Sequence, residues 1–288
     1  MSYREATYRA GDGLALYFRD YAAAHDALTP VLCLPGLTRN SKDFEGIAAH
    51  LAKTRRVIAP DLRGRGRSAY DPNYKNYAIP VEIADVFALM AAERLERVII
   101  IGTSRGGLIA SGMAVMRPAA VAGIVLNDIG PELAPEGIAR ILGYAGRIAE
   151  PESWEDAVRL VKSLNAPMFA LDEAGWMRFA RSTFRDERGR PRLDYDTRIG
   201  DAIREAAAAG EAGGADPWAV FKAMAPTPTL VVRGENSDLL SPGILARMHE
   251  ARPDLKSVEV KARGHAPFLD EEEAIDAIDA FLGGIDRA

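Results

Sequence analysis

The chain has 288 residues, of which 48% are apolar and 27% charged. That composition excludes general disorder and leaves room either for one large α/β domain with an insertion or for two domains. A formal net charge of −5 with both signs interspersed gives no footing for nucleic acid or an anionic membrane as partner.

The single cysteine, Cys33, excludes an intrachain disulfide and points to a reducing compartment. Met1–Asp12 is polar, without the apolar stretch of a signal peptide. Runs such as Val98–Ile101 are far too short to span a bilayer. A cytoplasmic protein is expected.

In chain order, Thr7–Arg9 and Leu14–Tyr21 flank Gly11-Asp12-Gly13 and read as a hairpin that adds antiparallel strands to a sheet edge. Short β-branched runs then alternate with stretches of helical period. Val31–Leu34, Val57–Ala59, Val98–Ile101, Ile124–Leu126 and Leu230–Val232 are apolar on both faces, as strands of a parallel sheet covered by helices must be. Between them Ile83, Val86, Phe87 and Met90 form a helical stripe, with Pro80 as a start signal. A last helix carries Ala274, Ile275, Ile278, Phe281 and Leu282 on one stripe, with Glu271, Glu272 and Glu273 at the positive end of its dipole.

From Pro131 to about Trp218 the alternation stops. Helical segments near Glu136–Ala149, Trp154–Leu164, Glu173–Phe184 and Thr197–Ala209 are separated by loops that include Arg188-Gly189-Arg190-Pro191 and Gly210–Gly214. No strand is expected there. An insertion this long between two strands of one sheet reads as a helical cap over the sheet's C-terminal edge, where open α/β sheets bind ligands. The expected division is a core of residues 1–130 and 219–288 with a cap of residues 131–218, inserted after the sixth strand.

Chemistry enters at Gly102-Thr103-Ser104-Arg105-Gly106-Gly107. A Gly-x-Ser-x-Gly string alone is a weak signal. Here it follows the strand Arg97–Ile101 and precedes the helical run Leu108–Met116. A serine on so sharp a turn is strained, and strand and helix approach so closely that only small residues fit two positions either side. In return the hydroxyl is exposed beside a helix N-terminus that favours developing negative charge. Ser104 is therefore the candidate nucleophile.

A serine needs a base, and four histidines are available. His25 lies in an N-terminal loop, while His50 and His249 sit in helical patterns as surface or helix-side residues. His265, in Gly264-His265-Ala266-Pro267, lies on a loop between the strand-like Ser257–Val260 and the last helix. It is the candidate base. The third member must hold the imidazole's tautomer. Asp238, in the loop after Thr229–Val232, gives the chain order Ser, Asp, His and is the expected acid. Its competitors are Asp128, in Asn127-Asp128-Ile129-Gly130, and more weakly Glu235; each reads otherwise as a turn or loop-anchoring carboxylate.

An oxyanion hole needs backbone donors. Arg105 N–H is one, and Leu37 N–H in Pro35-Gly36-Leu37-Thr38-Arg39 is the other, with Gly36 allowing close approach.

The ordered set Pro35-Gly36-Leu37, Asp61-Leu62-Arg63-Gly64-Arg65-Gly66-Arg67-Ser68, Gly102–Gly107, Asp238 and Gly264-His265 resembles the α/β-hydrolase superfamily. More narrowly it resembles the capped carboxylesterase, lactone hydrolase and C–C hydrolase branch, over about residues 12–130 and 220–285. The resemblance implies an α/β-hydrolase fold, a mostly parallel sheet flanked by helices. Two positions depart from it. Pro35-Gly36 stands where many relatives have His-Gly, which leaves a backbone donor intact. Arg105 stands where a smaller or apolar side chain is common; it either favours an acidic substrate or pairs with a neighbouring carboxylate.

Within this architecture Arg63-Gly64-Arg65-Gly66-Arg67 is a loop after a strand, not an RNA-binding run. Cys33 is a core residue. Trp154, Met168, Phe169, Trp176 and Phe179 either line a substrate pocket or pack within the cap. No metal cluster or phosphate loop is visible, and no cofactor is expected.

The expected activity is cleavage of a small-molecule carboxylic ester or lactone through an acyl-enzyme on Ser104. A C–C hydrolase acting on a vinylogous diketone would use the same triad, but Ala266-Pro267-Phe268-Leu269 lacks the aromatic context that often follows the histidine in such enzymes. Epoxide hydrolases and haloalkane dehalogenases carry a carboxylate nucleophile where Ser104 stands. A non-hydrolysing receptor on the same fold is the remaining alternative, and a complete triad argues against it.

Overall fold

The computed structural model describes residues 3–23, 28–208 and 216–287. The N-terminal hairpin pairs β1 (Arg4–Arg9) with β2 (Ala15–Tyr21) antiparallel. The chain then lays down β3 (Val31–Leu34), helix α1 (Glu45–Leu51), β4 (Val57–Pro60), α2 (Ile79–Ala92), β5 (Val98–Thr103), α3 (Arg105–Met116) and β6 (Val121–Asn127). After a long excursion come α8 (Pro217–Ala223), β9 (Thr229–Gly234), α9 (Pro242–Ala251), β10 (Lys256–Val260) and α10 (Glu272–Ile285). The eight-stranded sheet runs β1-β2-β4-β3-β5-β6-β9-β10. β2 meets β4 antiparallel, and every pair from β4 onward is parallel.

Alternate residues of the central strands feed two separate cores, which explains why these strands read as unbroken apolar runs. Leu32, Leu34, Ile100 and Leu126 face one side, packed against Val86 and Leu89 of α2 and Ile109 and Met113 of α3. Val31, Cys33, Ile99, Ile101 and Val125 face the other, against Ile47 of α1 and Ile278 and Phe281 of α10. Each of these fully buried aliphatic side chains contributes roughly 1.5–3 kcal/mol by leaving water. Burial also pushes the Cys33 thiol well above its usual range, so it sits in the core as a neutral hydrophobe.

The excursion after β6 contains α4 (Pro135–Tyr144), α5 (Trp154–Asn165), α6 (Glu173–Thr183), β7 (Phe184–Glu187), β8 (Arg190–Leu193) and α7 (Ile199–Ala208). The β7–β8 hairpin corrects the expectation of an all-helical insertion. Phe184-Arg-Asp-Glu has no period-two apolar pattern, and the alternation in Arg190-Pro-Arg-Leu lasts only four residues and includes a proline. Their pairing depends on the turn at Arg188-Gly189, where both residues take positive φ. The excursion builds its own cluster from Trp154, Val161, Phe169, Trp176, Phe184 and Ile199, and Tyr77 from the sheet side joins it. α8 has already returned to the sheet, with Phe221 in the first of the two main cores. Gly210–Gly214 and His25 lie outside the described residues. No helix among the described residues is long and apolar enough to cross a membrane.

The arginine-glycine run is structural. After β4, Asp61 accepts from Ser41 N–H and Arg67 N–H, each at 2.8 Å, and pins the loop. Arg63, 1% exposed, donates to Asp85 at 2.6 and 2.7 Å and also pairs with Asp71 and Asp12. Its removal would leave two carboxylates buried without their cation. Arg63→Met should therefore destabilise the fold by about 3–5 kcal/mol in urea unfolding; a loss below about 1 kcal/mol would mean that the guanidinium is not the loop's anchor.

Candidate active site

Ser104 lies between the last residue of β5 and the first of α3, with φ +51° and ψ −115°. The packing around it explains the two glycines. A Cβ on Gly102 would stand 2.5 Å from the Gly106 carbonyl oxygen, and one on Gly106 would overlap the Leu34 carbonyl at the end of β3. Ser104 N–H donates to the Asn127 carbonyl at 3.0 Å, extending the β5–β6 pairing past the strand end. The serine caps α3, its carbonyl accepting from Gly107 N–H at 2.8 Å.

His265 is on the loop between β10 and α10. Ala262 N–H donates to Glu235 at 2.8 Å, Asn236 N–H to the Arg263 carbonyl at 2.8 Å, and Asn127 Nδ2 to the Pro267 carbonyl at 2.9 Å. So held, His265 Nε2 is 3.0 Å from Ser104 Oγ, and Nδ1 is 2.8 Å from Asp128 Oδ2. A carboxylate only accepts, which places the ring proton on Nδ1 and leaves Nε2 to accept from the serine hydroxyl.

The carboxylate at the imidazole is thus Asp128, and Asp238, the acid expected from chain order, is elsewhere. Asp128 follows β6 at φ +55°, fully buried. Besides the histidine it accepts from Gly234 N–H at 2.9 Å and Ser237 Oγ at 2.5 Å. Ser237 thereby shares Oδ2 with the imidazole, while Gly234 N–H takes Oδ1. Asp238 itself is taken by Arg140 of α4 in a two-pronged pair at 2.5 and 2.9 Å. Burial pushes its carboxyl up, but Arg140 outweighs this and holds it below the usual range. α4 lies directly on this loop, since a Cβ on Gly137 would meet the Asp238 carbonyl at 2.6 Å. Glu235, the weaker competitor, anchors the histidine loop through Ala262 and does not touch the ring.

The two candidate oxyanion donors stand either side of Ser104. A Cβ on Gly36 would be 3.8 Å from Ser104 Cβ, so the Pro35-Gly36-Leu37 turn reaches the serine. Leu37 N–H has no protein acceptor among the described residues, and Arg105 N–H, first in its helix, has no intrahelical one. The Arg105 side chain turns away from the cavity. Its Nε donates to Glu82 at 2.6 Å and its Nη2 to the Tyr77 carbonyl at 2.8 Å, so of the two readings of this arginine the structure realises the carboxylate pair. Sequence reasoning missed Glu82. It sits in the first turn of α2, where an acid reads as a dipole partner, and nothing local marks it as fully buried.

A cavity of about 130 Å³ opens over Ser104 and His265, walled by Leu37 and Phe268 from the sheet side and by Ile141, Tyr144, Leu160 and Phe179 from the insertion. Of the aromatic and methionine side chains singled out in the insertion, Phe179 alone borders this cavity. Phe169 tilts against it at 5.7 Å and Trp176 stacks on it at 6.2 Å, Arg181 covers Trp154, and Met168 packs on Gly264. His50 and His249 bond to Asp279 and Ser257, remote from the serine. A hydroxyl, an imidazole and a buried carboxylate in series, beneath an apolar cavity and beside two free N–H groups, can generate a nucleophile and receive the oxyanion it forms.

Comparison with known proteins agrees with this fold. A family model described as alpha/beta hydrolase fold matches residues 29–272. The chain is 34% identical over 262 residues, 88% of each protein, to a 3-hydroxybutyrate-oligomer hydrolase of Cupriavidus necator. It is 28% identical to a 2-(acetamidomethylene)succinate hydrolase of Mesorhizobium japonicum, over 82% of this chain and 81% of that one. Among solved structures, an alpha/beta hydrolase from Novosphingobium aromaticivorans superposes with a TM-score of 0.90 at 41% identity, covering 98% of both chains.

The two aspartates can be separated by amide substitution. Asp128→Asn should lower hydrolytic turnover by a factor on the order of 10⁴, because the amide no longer enforces the Nδ1–H tautomer. Asp238→Asn should stay within about tenfold of the parent. A larger loss from Asp238→Asn than from Asp128→Asn, in steady-state kinetics at one pH, would reverse the assignment.

Proposed function

The chain belongs to the α/β-hydrolase family, and from that premise we propose that it cleaves a small-molecule carboxylic ester or lactone through an acyl-enzyme on Ser104. The observation that carries this reading is one imidazole within hydrogen-bond distance of both the Ser104 hydroxyl and the buried Asp128 carboxylate.

His265 Nε2 takes the Ser104 proton as Oγ attacks the carbonyl carbon. Asp128 holds the ring through Nδ1–H and stabilises the imidazolium. The oxyanion forms between Leu37 N–H and Arg105 N–H, each contributing roughly 3–4 kcal/mol to the transition state. As the tetrahedral intermediate collapses, the ester C–O bond breaks and His265 returns its proton to the leaving alkoxide, which departs as the alcohol. A water then gives its proton to the same nitrogen as it attacks the acyl-enzyme, and a second collapse frees the acid and restores the serine.

The cavity, about 130 Å³ and walled largely by apolar side chains, supports a compact substrate. The relative that acts on 3-hydroxybutyrate oligomers supports ester cleavage, because successive hydroxy-acid units in such an oligomer are joined by ester bonds. Short esters of hydroxy acids are accordingly the substrates of choice. With 3-hydroxybutyrate dimer or p-nitrophenyl butyrate as substrate, Ser104→Ala should lower kcat by at least about a thousandfold. A fluorophosphonate probe should label Ser104 in the parent and nothing in the variant, as read by peptide mass spectrometry. Turnover by Ser104→Ala near the parental rate would refute the reading.

A further inference from the structure

Behind the oxyanion loop lies a charge cluster that the triad does not use. Glu82, 0% exposed, projects from the first turn of α2 between two arginines. Its Oε2 accepts from Arg105 Nε at 2.6 Å, and its Oε1 accepts from Arg65 Nη1 at 2.7 Å. Arg65 in turn donates through Nε to the Leu37 carbonyl at 2.8 Å, and through Nη1 to the Arg63 carbonyl at 2.6 Å. The two residues proposed as oxyanion donors, one in the turn after β3 and one at the start of α3, are therefore joined through a single buried carboxylate. We propose that Glu82 is a positioning residue that sets the Leu37 and Arg105 N–H groups relative to each other, acting through Arg65 on one side and the Arg105 guanidinium on the other.

Three physical points carry this. First, the contacts fall on the donor residues themselves. Arg65 grips the carbonyl of Leu37, and a grip on that atom restricts rotation of the short turn carrying its N–H. Arg105 supplies both the backbone donor and the side chain that Glu82 binds, so the first turn of α3 is tied to α2. Second, the tie is rigid. The three side chains are largely or wholly buried, and charge-assisted hydrogen bonds at 2.6–2.8 Å out of water are strong and directional. Third, the helices carrying the tie already touch, since a Cβ on Gly112 of α3 would lie 2.5 Å from Ile83 Cδ1 of α2. An oxyanion hole works only if its donors are in place before charge develops, and displacement by about 1 Å costs on the order of a hundredfold.

The proposal rests on Leu37 and Arg105 being the oxyanion donors, and the test keeps the two claims apart. Glu82→Gln keeps one acceptor oxygen and presents an N–H group to one arginine, breaking one of the two links. Arg105→Met keeps the backbone donor and removes only the guanidinium, leaving Glu82 paired with Arg65, so it guards against misfolding of the first variant. Arg105→Lys restores a cation within reach of Glu82. Kinetics are measured per active site, titrated with the fluorophosphonate. Affinity is measured for an alkyl boronic acid, which forms a tetrahedral adduct on the serine, and for the product carboxylic acid.

Glu82→Gln and Arg105→Met should each lower kcat at least about tenfold with KM within about twofold. Boronate affinity should fall in step with kcat while product affinity is unchanged, and Arg105→Lys should recover part of both losses. An unchanged or raised kcat per titrated site, with only a lower melting temperature or active fraction, overturns the positioning role. Parent enzyme that is labelled on Ser104 but does not bind the boronate overturns the oxyanion assignment and the proposal with it, while leaving the serine as nucleophile.

Discussion

Ser104 stands at φ +51°, a conformation that costs an L-residue of order 1–3 kcal/mol and persists only where its surroundings leave no other choice. Those surroundings are specific. β5 is paired on both edges, to β3 and β6. The serine's own N–H is held by Asn127, and α3 presses on β3 so closely that a methyl group at Gly106 has no space. With the hydroxyl so fixed, everything else at the C-terminal edge of the sheet has to come to it. The histidine loop is tied down at Glu235, Arg263 and Pro267, the acid is buried after β6, and the insertion closes the cavity from above. Asp128, at φ +55° after β6, is a second residue of the site held in the left-handed region.

Around this point the chain holds several charges out of water. Arg63 with its aspartates fixes the loop after β4, and Arg65, Glu82 and Arg105 link that loop to the turn after β3 and to α3. Buried pairs of this kind add little net stability compared with apolar packing, because desolvation consumes most of the attraction. What they supply is geometry that a greasy contact cannot, since a guanidinium fork meets a carboxylate in few orientations. The same lesson applies to Asp128, whose oxygens are held by a backbone N–H, a serine hydroxyl and the imidazole together.

Much of the architecture was legible in the residues. Fully apolar strands alternating with amphipathic helices fix a covered parallel sheet, and the Gly102–Gly107 string in its strand-to-helix setting locates the elbow. The loop position of His265, between a strand and the last helix, was legible too, and the structure sets its ring against Ser104. The acid was not legible, for a reason the sheet order makes plain. β6 and β9 are neighbours, so Asp128 and Asp238 both leave the same edge on adjacent loops. Chain order is satisfied by either, since each follows the serine and precedes the histidine. What separates them is Arg140, on a helix of the insertion, which takes Asp238, and Ser237, which donates to the same Asp128 oxygen that faces the imidazole. Both are tertiary facts without local sequence signature. The β7–β8 hairpin and the burial of Glu82 were hidden in the same way: polar residues whose partners are distant in sequence.

The central claim is that His265 donates its Nδ1 proton to Asp128, and proton NMR reads that bond directly. In the parent protein the Nδ1–H should resonate far downfield of the amide envelope. It should persist in Asp238→Asn and disappear in Asp128→Asn. A downfield signal that survives Asp128→Asn and is lost in Asp238→Asn would contradict the account.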